Sequence, residues 1–269
     1  MASFRADPEV PLTSGNTRVK NARKLARRSF RTESRRFLAD GPKAVEGALS
    51  VEGCVVEVFA TQRATVEYAA LRARTEHWQV VDDRALASLS DSVSPQGVVA
   101  LCRFLDRPVE HVLDGDPRLV ALCADVRDPG NAGTVIRCAD AAGADAVVLS
   151  GHSVDAYNPK TVRATVGSLF HLPIASVDDP AAAVRAAQEA GLVVLAADGH
   201  GEVGLFEADE LLAQPTAWLF GNEAWGLPDD LAALADHRVA IPIHGRAESL
   251  NLATAAAICL YASARSQRA

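Results

Sequence analysis

Five short runs, 119–124, 146–149, 192–197, 217–220 and 238–243, are nearly unbroken stretches of apolar residues, and helical patterns lie between them. A strand with one wet face alternates apolar and polar side chains, whereas an unbroken run has to be covered on both faces. Strands of that kind alternating with helices predict an α/β architecture, a mostly parallel sheet with helices on either side. In such sheets ligands bind just past the carboxyl ends of the strands, so the residues following these runs are where chemistry is expected.

The 269 residues, 49% hydrophobic and 23% charged, are enough for two modest domains that need no disulfide or metal staple. Residues 1–16 read as a flexible tail. Residues 17–105 read as a small α/β domain, with a basic helix, a helix over 41–49, a strand over 55–60, a helix over 64–75 and strands over 78–81 and 97–102. Residues 106–117, containing Pro108, Gly115 and Pro117, have the chemistry of a linker. That leaves 118–269 as the second domain. No window approaches the ~18 consecutive apolar residues of a membrane span, and the N-terminus lacks an apolar signal-peptide core. A soluble cytoplasmic chain with no membrane partner is expected. The five cysteines (Cys54, Cys102, Cys123, Cys138, Cys259) form no Cys-x-x-Cys pair, which predicts reduced, mostly buried thiols. The seven histidines show no ligand spacing, and no metal is expected.

Charge is unevenly spread. Residues 1–40 hold ten Lys/Arg against four acids, a surplus of six that leaves −13 for the remainder of a chain whose net charge is −7. Nine of the ten bases lie between Arg18 and Arg36, at spacings that would gather them on one side of a helix. That side would attract a polyanion such as RNA, with Arg23, Arg27 and Arg31 as candidate contacts. A solvated helix face would carry the same charges.

Three segments carry the candidate chemistry. In 125–140 a strand ends, Pro129-Gly130 turns, and a helix begins near Asn131; Asn131 and Arg137, with Gly133 keeping the wall low, are expected to border one pocket. In the second, Gly221-Asn222-Glu223-Ala224-Trp225-Gly226-Leu227 places a carboxylate at the end of an apolar strand. In the third, 241–261, a strand passes through a loop into an Ala-rich helix with Ser249 and Asn251 at its start. Singly, each has a plainer role: Asn131, Glu223 or Ser249 as a helix cap, Arg137 as a surface cation.

In this order the three segments resemble the motifs of the SpoU family of RNA ribose 2′-O-methyltransferases, within the SPOUT superfamily. The resemblance covers 119–262. It includes Arg163-Ala164-Thr165-Val166-Gly167-Ser168-Leu169-Phe170-His171-Leu172-Pro173, similar to the family's Arg-Ala-small-x-Gly-small-x-Phe-x-x-Pro stretch. Residues 17–103 more loosely resemble the L30e-like RNA-binding domain of many ribosomal-RNA members. One departure is Leu252-Ala253-Thr254, where members commonly carry Val-Ser-Val.

The resemblance implies a C-terminal trefoil knot and a homodimer whose active site lies near the subunit interface. It implies S-adenosylmethionine as cofactor, lined by Leu195, Gly221, Ile241 and Leu250. The implied reaction is methylation of a ribose 2′-hydroxyl in RNA, 23S ribosomal RNA favoured over transfer RNA, for housekeeping or for antibiotic resistance. Arg137 would act nearest that hydroxyl, either as general base or by fixing the 3′-phosphate and stabilising the developing alkoxide. Asn131, Glu223, Ser249 and Asn251 would orient it and the ribose. Arg163 would contact a phosphate, or else form a surface salt bridge.

Two other readings compete. Gly199-His200-Gly201-Glu202-Val203-Gly204 matches a dinucleotide fingerprint, with Glu223 nineteen residues beyond Gly204. Against a nicotinamide cofactor stand Glu202 in the phosphate turn, the short segment that follows before Pro215, and the motif's late position. The resemblance would make this turn part of the rim of the S-adenosylmethionine pocket. A non-catalytic RNA-binding relative is the third reading; the joint presence of Asn131, Arg137, Glu223, Ser249 and Asn251 speaks against it.

Overall fold

A computed structural model describes residues 10–268. It divides into two compact units: the described residues up to Phe104 together with Tyr157–Phe170, and Leu105–Ala156 with the residues from His171 onward. Of the expected tail, residues 1–9 lie outside the described residues, while Asn16 caps the first helix.

The first unit begins with α1 (Thr17–Lys24), α2 (Arg28–Ser34), β1 (Arg36–Asp40), α3 (Pro42–Ser50) and β2 (Val55–Ala60). It continues with α4 (Gln62–Glu67), α5 (Ala69–Arg72), β3 (Trp78–Val80), α6 (Asp83–Ala87) and β4 (Val98–Arg103). The sheet order is β1-β4-β2-β3, with only the β2–β3 pair parallel. Two expectations need correction. The helix expected over 64–75 is two, broken at Tyr68. The basic stretch is also two helices, because the chain turns at 25–27. Arg31 therefore folds inward, 2% exposed, and donates to the carbonyls of Leu25 (2.9 Å) and Ala26 (3.0 Å). It closes the end of α1, where orphan carbonyls and the helix dipole favour a cation. Arg23 and Arg27 stay exposed.

The second unit starts at α7 (Val109–Val112), inside the expected linker, where Val112 and Leu113 are buried in the unit's core. Then come β5 (Leu119–Ala124), α8 (Pro129–Ala142) and β6 (Ala146–Ser150). The chain next enters α9 (Pro159–Thr165), which belongs to the first unit: there Tyr157 stacks on Phe104 (centroids 3.9 Å) and sits 4.6 Å from Phe37. It returns through β7 (Ile174–Val177), α10 (Pro180–Glu189), β8 (Val193–Ala197), β9 (Val203–Gly204) and α11 (Asp209–Leu212). The last elements are β10 (Thr216–Phe220), α12 (Asp229–Ala232), β11 (His237–Ala240) and α13 (Leu252–Ser266).

The seven strands run β7-β6-β5-β10-β8-β11-β9, and every pairing is parallel. All residues of β5, β6 and β10 are buried, as strands covered on both faces must be. Among the described residues no helix is long and apolar enough to cross a membrane, and no three His, Cys, Asp or Glu side chains gather as metal ligands.

The cysteines are unpaired; Cys138 is half-buried and the other four are buried. Burial pushes the Cys123 thiol up to about 12, with the Glu223 carboxylate adding to the rise, and raises Cys259 as well. Iodoacetamide at pH 8 is expected to modify Cys138 well before Cys123 or Cys259 in the folded protein, as peptide mass mapping would show; equal rates would contradict this burial.

Candidate active site

The carboxyl ends of β8, β10 and β11 open onto a cleft of about 270 Å³. Ala197 ends β8, and Asp198 and Gly199 follow it; Phe220 ends β10, and Gly221–Ala224 and Gly226 follow it; Ile241 and Ile243 follow β11; Glu248, Ser249 and Leu250 precede α13, which opens at Leu252. The loops around it are tied tightly. Asn222 and Gly226 exchange two backbone hydrogen bonds of 2.9 Å, closing a five-residue loop. Gly226 takes φ +69°, and Gly221 lets the loop's two arms touch, since a Cβ there would lie 2.3 Å from the Gly226 carbonyl carbon. Asn222, which sequence reasoning leaves out of the site, is buried. Its Nδ2 donates to the Asp125 carbonyl (2.7 Å), while its Oδ1 accepts from the Ala224 amide (2.8 Å).

Glu223 is the junction. It accepts from the amides of Arg127 (3.2 Å) and Asp128 (3.0 Å) and from Asn131 Nδ2 (3.3 Å). Asn131 Oδ1 in turn accepts from Asn251 Nδ2 at 3.0 Å. Asn251 Oδ1 caps α13, accepting from the amides of Ala253 and Thr254. The carboxylate at one end and the cap at the other fix both amide orientations, because a carboxylate only accepts and a helix N-terminus only donates. None of the three plainer capping roles holds. Asp128, not Asn131, caps α8; Asn251, not Ser249, caps α13; Glu223 caps no helix but holds the 127–131 loop.

Of the expected residues, Glu223, Ser249, Gly221, Ile241 and Leu250 line the cleft, and Asn131 and Asn251 join it through the hydrogen-bond chain. Leu195 does not line it. It is wholly buried two residues before β8 ends, and Ala197, Asp198 and Gly199 take its place. Arg137 also lies off the cleft, exposed on α8, with no hydrogen bond or ion pair among the described residues. Six residues turn a helix by ~600° and advance it ~9 Å, so Arg137 does not share the face of Asn131. Arg163, in the first unit, pairs with Asp91.

The lining decides what fits. Apolar walls (Ala197, Phe220, Val239, Ile241, Ile243, Leu250) suit the faces of an adenine. Asp198, Glu223 and Glu248 are the charged members, and no Lys or Arg lines the cleft. Such a site favours a cationic sulfonium and repels a pyrophosphate. The dinucleotide reading fails on geometry too. After Gly201 the chain enters β9 and a short 3₁₀ turn rather than a phosphate-facing helix, and the Glu202 carboxylate is held by the Arg238 amide. Gly201 is needed because a Cβ would sit 2.6 Å from the Arg238 carbonyl oxygen.

A parallel α/β sheet with an acidic, adenine-sized cleft at its strand ends has the shape and charge to hold a cationic adenosyl cofactor such as S-adenosylmethionine. Residues 118–261 match the SpoU rRNA Methylase family, and 16–100 match the MRM3-like substrate binding domain. Over 246 residues the chain is 34% identical to the 23S rRNA (guanosine(2553)-2′-O)-methyltransferase RlmP of Bacillus subtilis, covering 91% of this chain and 95% of that one. It is 35% identical to the 23S rRNA (uridine(2479)-2′-O)-methyltransferase of Streptomyces viridochromogenes, covering 94% and 91%. The AdoMet-bound rRNA methyltransferase from Sinorhizobium meliloti superposes with a TM-score of 0.82 at 36% identity, over 95% of this chain and 97% of that one. The chain belongs to the SpoU rRNA methylase family and is an RNA ribose 2′-O-methyltransferase that uses S-adenosylmethionine.

Proposed function

We propose that the substrate is 23S ribosomal RNA and that the Glu223–Asn131–Asn251 chain sets the geometry of transfer. That chain is the observation that carries the assignment of roles, since it ties all three motif segments together beside the cleft. When bound, the cofactor supplies a methyl on a good leaving group. The protein then has to align the ribose oxygen and help it lose a proton. Gly221, Ile241 and Leu250 hold the adenosine. Glu223, with three donors on its two oxygens, is a positioning group rather than a base. Arg137 supplies positive charge at the 2′-oxygen and the 3′-phosphate; a guanidinium with a pKa above ~12 is a poor base.

Several finer features belong to the same reading. A homodimer with its active site near the subunit interface accommodates an Arg137 that lies off the cleft of its own chain. The exposed Phe206 and Tyr261 are compatible with such an interface. A trefoil knot is supported by the strand order, in which β10 inserts between β5 and β8 before α13 returns to pack on α8. The first unit would form the L30e-like RNA-binding part, and the second, which takes α7 of the expected linker into its core, the catalytic part, in a cytoplasmic enzyme. Two relatives of nearly equal identity methylate a guanosine and a uridine. The ribose is common to both, so the base is selected away from the reacting atoms.

Labelled S-adenosylmethionine with unmodified 23S rRNA and, separately, bulk tRNA tests the substrate. Label is expected in 23S rRNA; transfer to tRNA alone would overturn the assignment. The basic helices give a second expectation. Arg23→Ala with Arg27→Ala should flatten the salt dependence of RNA binding by about 0.7–0.9 in log–log slope for each phosphate no longer neutralised. Arg31→Ala should instead lower stability by about 2–3 kcal/mol, because a buried charged donor to two carbonyls is removed. Denaturant titration and filter binding separate the two; an unchanged slope in the double variant would make Arg23 and Arg27 solvated surface charges.

A further inference from the structure

Trp225 is 54% exposed at the tip of the loop that borders the cleft, between the lining residues Ala224 and Gly226. The other two tryptophans are spent on structure. Trp218 is fully buried with Nε1 donating to Ser263, and half-buried Trp78 donates to Thr65. Trp225 makes no hydrogen bond among the described residues.

Its position is nonetheless held. The 222–226 loop is closed by two backbone hydrogen bonds, Asn222 anchors it to Asp125, and the exposed Arg127 guanidinium lies 5.0 Å from the indole centroid. Arg127 is itself fixed at its backbone, where its amide donates to Glu223. A pre-positioned, solvent-facing indole backed by a cation is what an unstacked RNA base requires, since single-stranded RNA is read by stacking on aromatic and guanidinium planes.

We propose that Trp225 and Arg127 form a stacking platform for a nucleotide splayed out of the RNA at or next to the methylated ribose, with Trp225 taking the base and Arg127 the backbone phosphate. Stacking is tolerant of base identity, so the platform orders the ribose without choosing the base. The inference rests on the RNA methyltransferase reading, and Trp225 is a positioning residue in it.

The test compares wild type, Trp225→Phe and Trp225→Leu by filter binding to unmodified 23S rRNA, calorimetry with S-adenosylmethionine, and sedimentation velocity. Trp225→Leu is expected to weaken RNA binding roughly tenfold and Trp225→Phe less than about threefold, with cofactor affinity and sedimentation unchanged. RNA affinity in Trp225→Leu equal to wild type overturns the platform alone. A shifted sedimentation coefficient overturns it in favour of a subunit contact. Failure of the wild type to bind 23S rRNA overturns the functional reading, and the platform with it.

Discussion

Gly221→Ala is expected to abolish S-adenosylmethionine binding, raising the Kd by at least about 100-fold, the equivalent of ~2.7 kcal/mol. The added Cβ would lie 2.3 Å and 2.4 Å from the carbonyl carbon and oxygen of Gly226 and 2.6 Å from the Leu227 amide. All three are backbone atoms, and the Asn222–Gly226 hydrogen bonds pin them, so no side chain can swing aside. The loop must open, and with it goes the wall that Gly221, Asn222, Glu223 and Gly226 give the cleft. Gly245→Ala is the control, because a Cβ there meets nothing within 4 Å and should leave affinity within about twofold. Calorimetry on both variants, with thermal unfolding to show that each still folds cooperatively, decides the matter. A Gly221→Ala protein that binds like wild type would remove the cleft from the cofactor's path.

Arg137→Ala is expected to cut turnover by about 10³-fold while leaving cofactor affinity within about threefold, the pattern of a group whose interaction strengthens only as charge develops on the attacking oxygen. The exposed guanidinium has no partner among the described residues that its removal would strand, so stability should hold. Arg137→Lys should recover part of the rate, since it restores the charge but not the planar fork that grips a phosphate. Single-turnover kinetics beside calorimetry separate the alternatives. Loss of cofactor binding would make Arg137 a cofactor or folding residue, and turnover within about tenfold of wild type would make it a surface cation.

The parallel sheet is legible in the sequence because burial on both faces forces unbroken apolar runs; the start of α8 is read two residues late, since Pro129 and Gly130, expected as a turn before a helix near Asn131, are its first residues behind the Asp128 cap. Sequence and structure part where the deciding partner is remote along the chain. Leu195 is expected at the pocket only through the resemblance; the apolar run 192–197 ends where β8 ends, at Ala197, which leaves Leu195 inside the strand and wholly buried. Gly201 resembles a phosphate-binding glycine, yet its constraint is the backbone of Arg238, thirty-seven residues away. Arg31 falls on an exposed face by charge periodicity, which cannot see the turn at 25–27 that folds it inward. The three motif segments are visible one by one. The hydrogen-bond chain joining them is not, because Glu223, Asn131 and Asn251 meet only after the sheet has brought three loops together.

The most direct test of the central claim, methyl transfer to a ribose, is the chemistry of the product. Unmodified 23S rRNA labelled by this enzyme from methyl-tritiated S-adenosylmethionine is hydrolysed in alkali, which cleaves a phosphodiester only where a free 2′-hydroxyl can attack it. The account predicts label in alkali-resistant dinucleotides, because the methylated 2′-oxygen protects its own linkage. Label recovered in mononucleotides would mean a methylated base and would contradict it.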